Sequence, residues 1–255
     1  MLLSSDLILA TLHKALPITN GQTLASLPAG TINDWPEFSY RGFLVDVGRH
    51  FFSVDYLKEV IDMLALHNIN YFHWHLTEDQ GWRIEIKKYP KLTEIGSHRK
   101  ETIVAPGSDQ FDNTPVSGYY TQEEAKEIVR YAAERYITVI PEIDMPAHSN
   151  AALAAYPQLA CPVVDSYIGV IPGLGGSNSG VIYCAGNDSA FTFLQDVLDE
   201  VMAIFPSRYI HLGGDEAQKG YWKKCPLCQQ RIKKEHLANE EDLQGYFMKR
   251  MSDYV

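Results

Sequence analysis

Asp215 and Glu216 stand side by side immediately after His211-Leu-Gly-Gly. Two neighbouring carboxylates repel each other, so one can hold a proton near neutral pH while the other stays charged, which is what general acid–base chemistry requires. An isolated Asp-Glu pair more often belongs to the first turn of a helix, where acids suit the dipole. Here the residues before the pair favour chemistry. Tyr209, Ile210 and Leu212 read as a short buried strand, and Gly213-Gly214 let the chain turn at its end. In barrels and doubly wound α/β folds, that C-terminal rim of a strand is where active sites are built.

Other chemistry-bearing residues recur at the ends of apolar runs. The first run delivers Arg49 and His50, with Asp46 inside it. A second delivers His73, His75, Glu78 and Asp79, and a third Glu142, Asp144 and His148. His73 and His75 are two apart and so share one face of a strand. Taken singly, His73 and His211 read as core histidines with satisfied ring nitrogens; it is the convergence of acids, histidines and an arginine that exceeds ordinary core polarity.

The elements that must position these groups follow a rhythm. Residues 42–48 form a buried-strand run, and Ser53 can cap a helix bearing Leu57, Val60, Ile61 and Leu64 at helical spacing. Residues 70–76 form a second strand, and the stretch 77–120 is an insertion in which Trp82, Ile84 and Ile86 alternate as in a small hairpin. Thr121-Gln-Glu-Glu124 is a capping box opening a helix with Ala125, Ile128, Val129 and Ala132 inward. Residues 138–144 are the third strand. A helix bearing Phe191, Leu194, Val197, Leu198, Val201 and Phe205 precedes the fourth, at 209–214. Strand–helix alternation implies parallel strands joined by right-handed crossovers. Residues 217–255 continue in a helical pattern, with Leu243, Phe247 and Met251 on one face and no further β run.

A complete eight-stranded barrel takes ~250 residues, yet only four strands are visible in 255. The expectation is therefore the N-terminal half of a (β/α)8 TIM barrel over residues 41–255. Residues 1–40, with a short helix at 6–16 and a turn-rich stretch at 17–41, read as the tail of a preceding small domain and a linker.

Composition is that of a globular chain, 45% hydrophobic and 21% charged. A net charge of -10 argues against nucleic acid or an anionic membrane as partner. No apolar run approaches the ~20 residues of a membrane span, and Met1-Leu2-Leu3 leads into Ser4, Ser5 and Asp6 without a signal peptide. Cys161 and Cys184 bracket a Gly/Pro/Ser-rich segment at 172–180 and are expected to clip it as a disulfide, which would place the protein in an oxidising compartment. Four reduced cysteines are the competing expectation. Cys225-Pro-Leu-Cys228 has zinc-knuckle spacing, but no second Cys pair follows and His236 could add only one ligand.

The segments 41–50 (Arg-Gly-Phe-Leu-Val-Asp-Val-Gly-Arg-His), 73–83 (His-Trp-His-Leu-Thr-Glu-Asp-Gln-Gly-Trp-Arg), 141–148 (Pro-Glu-Ile-Asp-Met-Pro-Ala-His) and 211–216 (His-Leu-Gly-Gly-Asp-Glu) together resemble glycoside hydrolase family 20, the β-N-acetylhexosaminidases. The resemblance implies that residues 6–32 end the small α/β domain that usually precedes the barrel and that the last four strands are missing. It implies substrate-assisted retaining hydrolysis of terminal β-linked N-acetylhexosamine, an exception to the two-carboxylate scheme. Asp215 would then hold the acetamido N–H and Glu216 would be the proton donor. His148 would relay charge, oriented by Glu78, while Arg49, Asp79 and His211 would bind substrate. Glu78 stands where Asp is usual, and Ala147 where Gly is usual. No cofactor or metal is implied. The partner is an N-acetylhexosamine-containing glycan, the full-length protein is expected in the periplasm or outside the cell, and the open sheet edges invite self-association. Two rival expectations remain: a metal-dependent barrel hydrolase built on His73-Trp-His75 with His148, His211 and Asp215, and a non-catalytic N-acetylglucosamine-binding fragment.

Overall fold

Parallel strands need crossovers, and the sequence supplies helices with one apolar face to make them. In the computed structural model, which describes residues 31, 33–105, 107–166, 168–173 and 180–255, strands β1 (Gly42–Asp46), β2 (Tyr71–His75) and β3 (Thr138–Glu142) form a parallel sheet in that order. Helix α1 (Val54–Leu66), capped by Ser53 through the Tyr56 N–H, buries Leu57, Val60, Ile61 and Leu64. Helix α2 (Gln122–Ala133) starts at the Thr121/Glu124 capping box and buries Ala125, Ile128 and Ala132. Both helices sit where the periodicity puts them.

Register decides which side chains meet. Asp46, His75 and Glu142 are aligned across the three strands, as are Leu44, His73 and Ile140. In β2 the alternate residues Phe72 and Trp74 are fully buried, so the aligned polar residues lie on the opposite face.

Two expected strands differ from the reading. β1 is an edge rather than a buried run, with Phe43 and Leu44 about half exposed (50% and 48%), because no strand flanks its outer side among the described residues. Residues 209–214 run parallel to β3 but are joined only by a single bridge, Glu142 to His211. Their backbone bonds are His211 N to Pro141 O (3.0 Å), Ile143 N to His211 O (3.1 Å) and Met145 N to Leu212 O (3.1 Å). Tyr209 is exposed, not buried. A segment bonded along one side cannot hold a long ladder.

The 77–120 excursion folds back on the sheet. Thr77–Glu78 pairs with Gly81–Trp82 in a short antiparallel ladder, and Ile84 bridges Tyr120. Arg83 pins this excursion to the end of β1. Its buried guanidinium donates to the carbonyls of Val47 (3.0 Å), Gly48 (3.0 Å), Ser97 (2.8 Å) and Gly118 (2.9 Å). Burial and then the charge of Arg99 bring its pKa down to about 10.

After β3 come α3 (Asn150–Ala155) and α4 (Asp188–Ile204), and then α5 (Gly220–Lys224), α6 (Pro226–Lys234) and α7 (Glu240–Ser252), the last burying Leu243, Phe247 and Met251. The four cysteines are buried and free, so the expected Cys161–Cys184 disulfide is not formed. The inference of an oxidising compartment loses its support with it. Among the described residues no helix is long and apolar enough to cross a membrane. The helix expected at 6–16 and most of the 1–40 tail lie outside the described residues.

Candidate active site

The aligned strand residues and the loops beyond them line an open cleft of about 460 Å³ that includes Asp46, Arg49, His75, Glu78, Asp144 and Asp215. Arg49 follows β1 and is fixed by Asp46: its backbone N–H donates to Oδ1 (2.9 Å) and its guanidinium to Oδ2 (2.6 Å). The other guanidinium nitrogen pairs with Glu78. Its Nε is buried without a partner.

Glu78 is the hub of the second motif. It is almost wholly buried and accepts from His148 Nδ1 at 2.9 Å. Burial pushes its pKa up, but hydrogen bonds from His148 and His75 and the charge of Arg49 outweigh that and hold it at about 2. The reciprocal bond raises His148 to about 9 against a smaller desolvation effect. His148 Nε2 lies 3.5 Å from both Asp215 Oδ2 and Glu216 Oε2. That nitrogen is buried and makes no hydrogen bond. The structure therefore brings together Arg49, Glu78, His148, Asp215 and Glu216. The two acids of the fourth segment are exposed, at 65% and 76% of their side chains, and Glu216 does not line the cleft.

The backbone aims these groups. His148 (φ 49°) and Glu216 (φ 47°) both occupy the left-handed region, a strained state that persists where surrounding structure enforces it. Gly213 (φ 67°) has no alternative: a Cβ there would fall 1.7 Å from Asp144 Oδ1.

Asp79 lies behind the cleft, whereas His211 lines it. Asp79 is buried, with Oδ1 accepting the Asn150 N–H at the start of α3 (2.9 Å). Burial raises its pKa to about 6, against the Asn150 bond. Its Oδ2 is 3.9 Å from His148 Nδ1. His211 Nδ1 pairs with Glu142 Oε1 at 2.8 Å.

Glu142 was visible in the sequence only as one more strand-end acid. It collects three histidines, with His73 Nε2 at 2.7 Å and His75 Nδ1 at 2.5 Å on Oε2 and His211 on Oε1. Burial opposes its ionisation, but the three bonds hold its pKa far below the carboxylate range. His75 is raised to about 10, desolvation being outweighed by Glu142 and Glu78. Asp144 is the opposite case: burial, reinforced by Asp215 and Glu142, lifts it to about 8 against the pull of His148. Only the register, which no sequence period reports, could have singled out Glu142 and Asp144 from their neighbours.

His73 and His75 each hydrogen-bond the same Glu142 oxygen through one ring nitrogen. The ligand set expected for a metal site does not meet at one point among the described residues: His73 groups with Glu142 and His211, and His148 with Asp144 and Asp215.

Residues 38–255 match the model of glycosyl hydrolase family 20, catalytic domain. The chain is 53% identical over 224 residues to a beta-hexosaminidase of Porphyromonas gingivalis, covering 88% of this chain and 27% of that protein. It is 40% identical to a beta-hexosaminidase of Akkermansia muciniphila, covering 94% and 47%. Among solved structures it resembles a beta-N-acetylhexosaminidase from Bacteroides fragilis (51% identity, TM-score 0.70, 84% of this chain and 39% of that one). It also resembles a GH20 exo beta-N-acetylglucosaminidase from Vibrio harveyi in complex with N-acetylglucosamine (35%, TM-score 0.80, 98% and 38%). The fold is thus of TIM-barrel type, and the chain spans less than half the length of these relatives.

Proposed function

Because this chain belongs to glycosyl hydrolase family 20, we propose that the protein carrying it removes terminal β-linked N-acetylhexosamine from glycans by substrate-assisted, retaining hydrolysis. In this reading the chain supplies the first four βα units of the barrel, residues 1–40 close a preceding domain, and the rest of the pocket comes from barrel strands outside this chain. Four parallel segments in chain order (β1, β2, β3 and 209–214) support it, as does the 27% to 47% coverage of the relatives.

The carrying observation is His148 poised between Glu78, 2.9 Å from Nδ1, and the Asp215/Glu216 pair, 3.5 Å from Nε2. The substrate's acetamido oxygen attacks the anomeric carbon as Glu216 delivers its proton to the departing glycosidic oxygen. Sugar and acetamide close into an oxazolinium ion, and water then opens it with Glu216 taking a proton back. Asp215 holds the acetamido N–H and balances the positive charge that develops. His148, kept protonated by Glu78, stabilises the Glu216 anion once its proton has left. Arg49, fixed by Asp46 and Glu78 and lining the cleft, binds sugar hydroxyls. His211, at the cleft wall with Nδ1 held by Glu142, binds the sugar, whereas Asp79 is buried behind His148 and acts through α3.

The test is the Glu216→Gln variant of the protein with its whole barrel, on a glycan substrate and on an aryl glycoside with an activated leaving group. Activity should fall by about 10²–10⁴-fold on the glycan and far less on the aryl substrate, which needs little acid assistance. Equal losses would remove Glu216 from the donor role.

A further inference from the structure

Cys161, Cys184, Cys225 and Cys228 come from separate stretches of chain and are brought to one point. Cys161 follows a short 3-10 turn at Pro157–Leu159. Cys184 is tied beside that turn by the Ala160–Tyr183 bridge and by its own N–H to Leu159 O (2.9 Å). Cys225 caps α6, and Cys228 lies in its first turn. Trp222 Nε1 donates to Tyr183 O (2.9 Å), drawing the α5–α6 corner onto the Cys184 segment.

The sulfur distances are Cys161–Cys228 3.8 Å, Cys184–Cys225 3.7 Å and Cys184–Cys228 3.7 Å. All four sulfurs lie within 4.8 Å of one another and all four residues are buried. A tetrahedral zinc ion with Zn–S bonds of about 2.3 Å holds its sulfurs about 3.8 Å apart. One such contact is ordinary packing of two thiols. Four sulfurs around one centre, none joined by a disulfide, form a coordination cage.

The surroundings suit thiolates. The Gly186 N–H donates to Cys184, the backbone-to-sulfur bond of a knuckle turn. Cys225 and Cys228 sit at the N-terminal end of α6, where the helix dipole favours negative charge. Gly186 also admits the close approach of the two turns: a Cβ there would meet the Leu227 carbonyl carbon at 2.2 Å and Cys228 N at 2.4 Å.

We propose that these four cysteines bind one structural zinc ion. Four protein ligands leave no open coordination position, so the ion takes no part in hydrolysis. Its place in the fold gives it a mechanical task. It clamps the corner between α5 and α6, which follows Asp215 and Glu216 in the chain, to Cys161 and Cys184, which follow His148. His236 has no part in this cage among the described residues. The second Cys pair that a sequence scan looks for downstream of Cys225-x-x-Cys228 is upstream, and split by 22 residues.

The experiment is to express the full 255-residue chain in zinc-sufficient medium, remove loosely held metal, and measure elemental content and thiol reactivity. About one zinc per chain is expected, with four thiols that react with a thiol reagent only after denaturation or chelation. Exchange into Co²⁺ should give the intense visible bands of a tetrahedral tetrathiolate site. In Cys225→Ser/Cys228→Ser, zinc content should drop at least tenfold, whereas His75→Gln should keep it. Four free thiols with no metal, iron in place of zinc, or fewer than four titratable thiols would each overturn the assignment. The cobalt spectrum of the unmodified chain decides the matter even where the double variant fails to fold.

Discussion

His148 shows how much one residue's surroundings decide. Its pKa rises from 6.5 to about 9 beside Glu78, whose own falls from 4.5 to about 2. A raised histidine stabilises the fold fully below pH 6.5 and loses that contribution as pH climbs through about 9. A lowered carboxylate contributes fully above pH 4.5 and loses its share as pH falls toward 2. The pair is therefore at full strength between about pH 4.5 and 6.5. Glu78→Gln should return His148 toward its ordinary pKa, seen by NMR titration of the ring, and pull the alkaline limb of the activity profile of the whole-barrel protein downward in pH. An unmoved limb would detach His148 from the reaction. Asp215→Asn should depress kcat more than it raises KM, because the charge it balances exists only in the transition state. Steady-state kinetics on an aryl N-acetylglucosaminide separates the two. These residues were legible because each lies in a compact motif at a strand end. Glu142 was not, since nothing in the order of residues says that His73, His75 and His211 converge on it.

At the scale of elements, periodicity located β1, β2, β3, α1, α2 and the buried face of α7, because each has a continuous apolar pattern. It overestimated 209–214 as a buried strand, because alternation reports side-chain character and not whether a neighbour exists to complete the ladder. The excursion between β2 and α2 depends on Arg83. Arg83→Lys should lose about 3 kcal/mol or more of stability, since one ammonium cannot serve four carbonyls, three of them buried. Chemical denaturation would measure it, and a change under about 0.5 kcal/mol, the range of an ordinary surface substitution, would mean the carbonyls find other donors. Gly213→Ala should be worse for activity than for stability. The positive φ costs about 1–2 kcal/mol, but the new methyl collides with Asp144 beside the Asp215 turn.

The whole molecule presents its chemistry on an open face. Asp215 and Glu216 are largely in solvent, and β1 exposes Phe43 and Leu44 along an edge that no strand pairs among the described residues. The 255-residue chain alone should therefore show little glycosidase activity, because a misplacement of ~1 Å costs on the order of a hundredfold. It should also associate through its open edges. Light scattering alongside an aryl N-acetylglucosaminide assay checks both, and full activity from a clean monomer would contradict both.

In the proposed substrate-assisted reaction the nucleophile lies in the sugar rather than in the protein. The direct measurement is kcat/KM of the whole-barrel protein on aryl N-acetylglucosaminides in which fluorine successively replaces hydrogen on the acetamido methyl. Each fluorine weakens the carbonyl oxygen as a nucleophile while leaving the leaving group and sugar ring unchanged. A steep monotonic fall is expected, at least about tenfold across the series, or about 1.4 kcal/mol in the barrier. A flat series would contradict it, moving the nucleophile from the substrate to a protein carboxylate or to water.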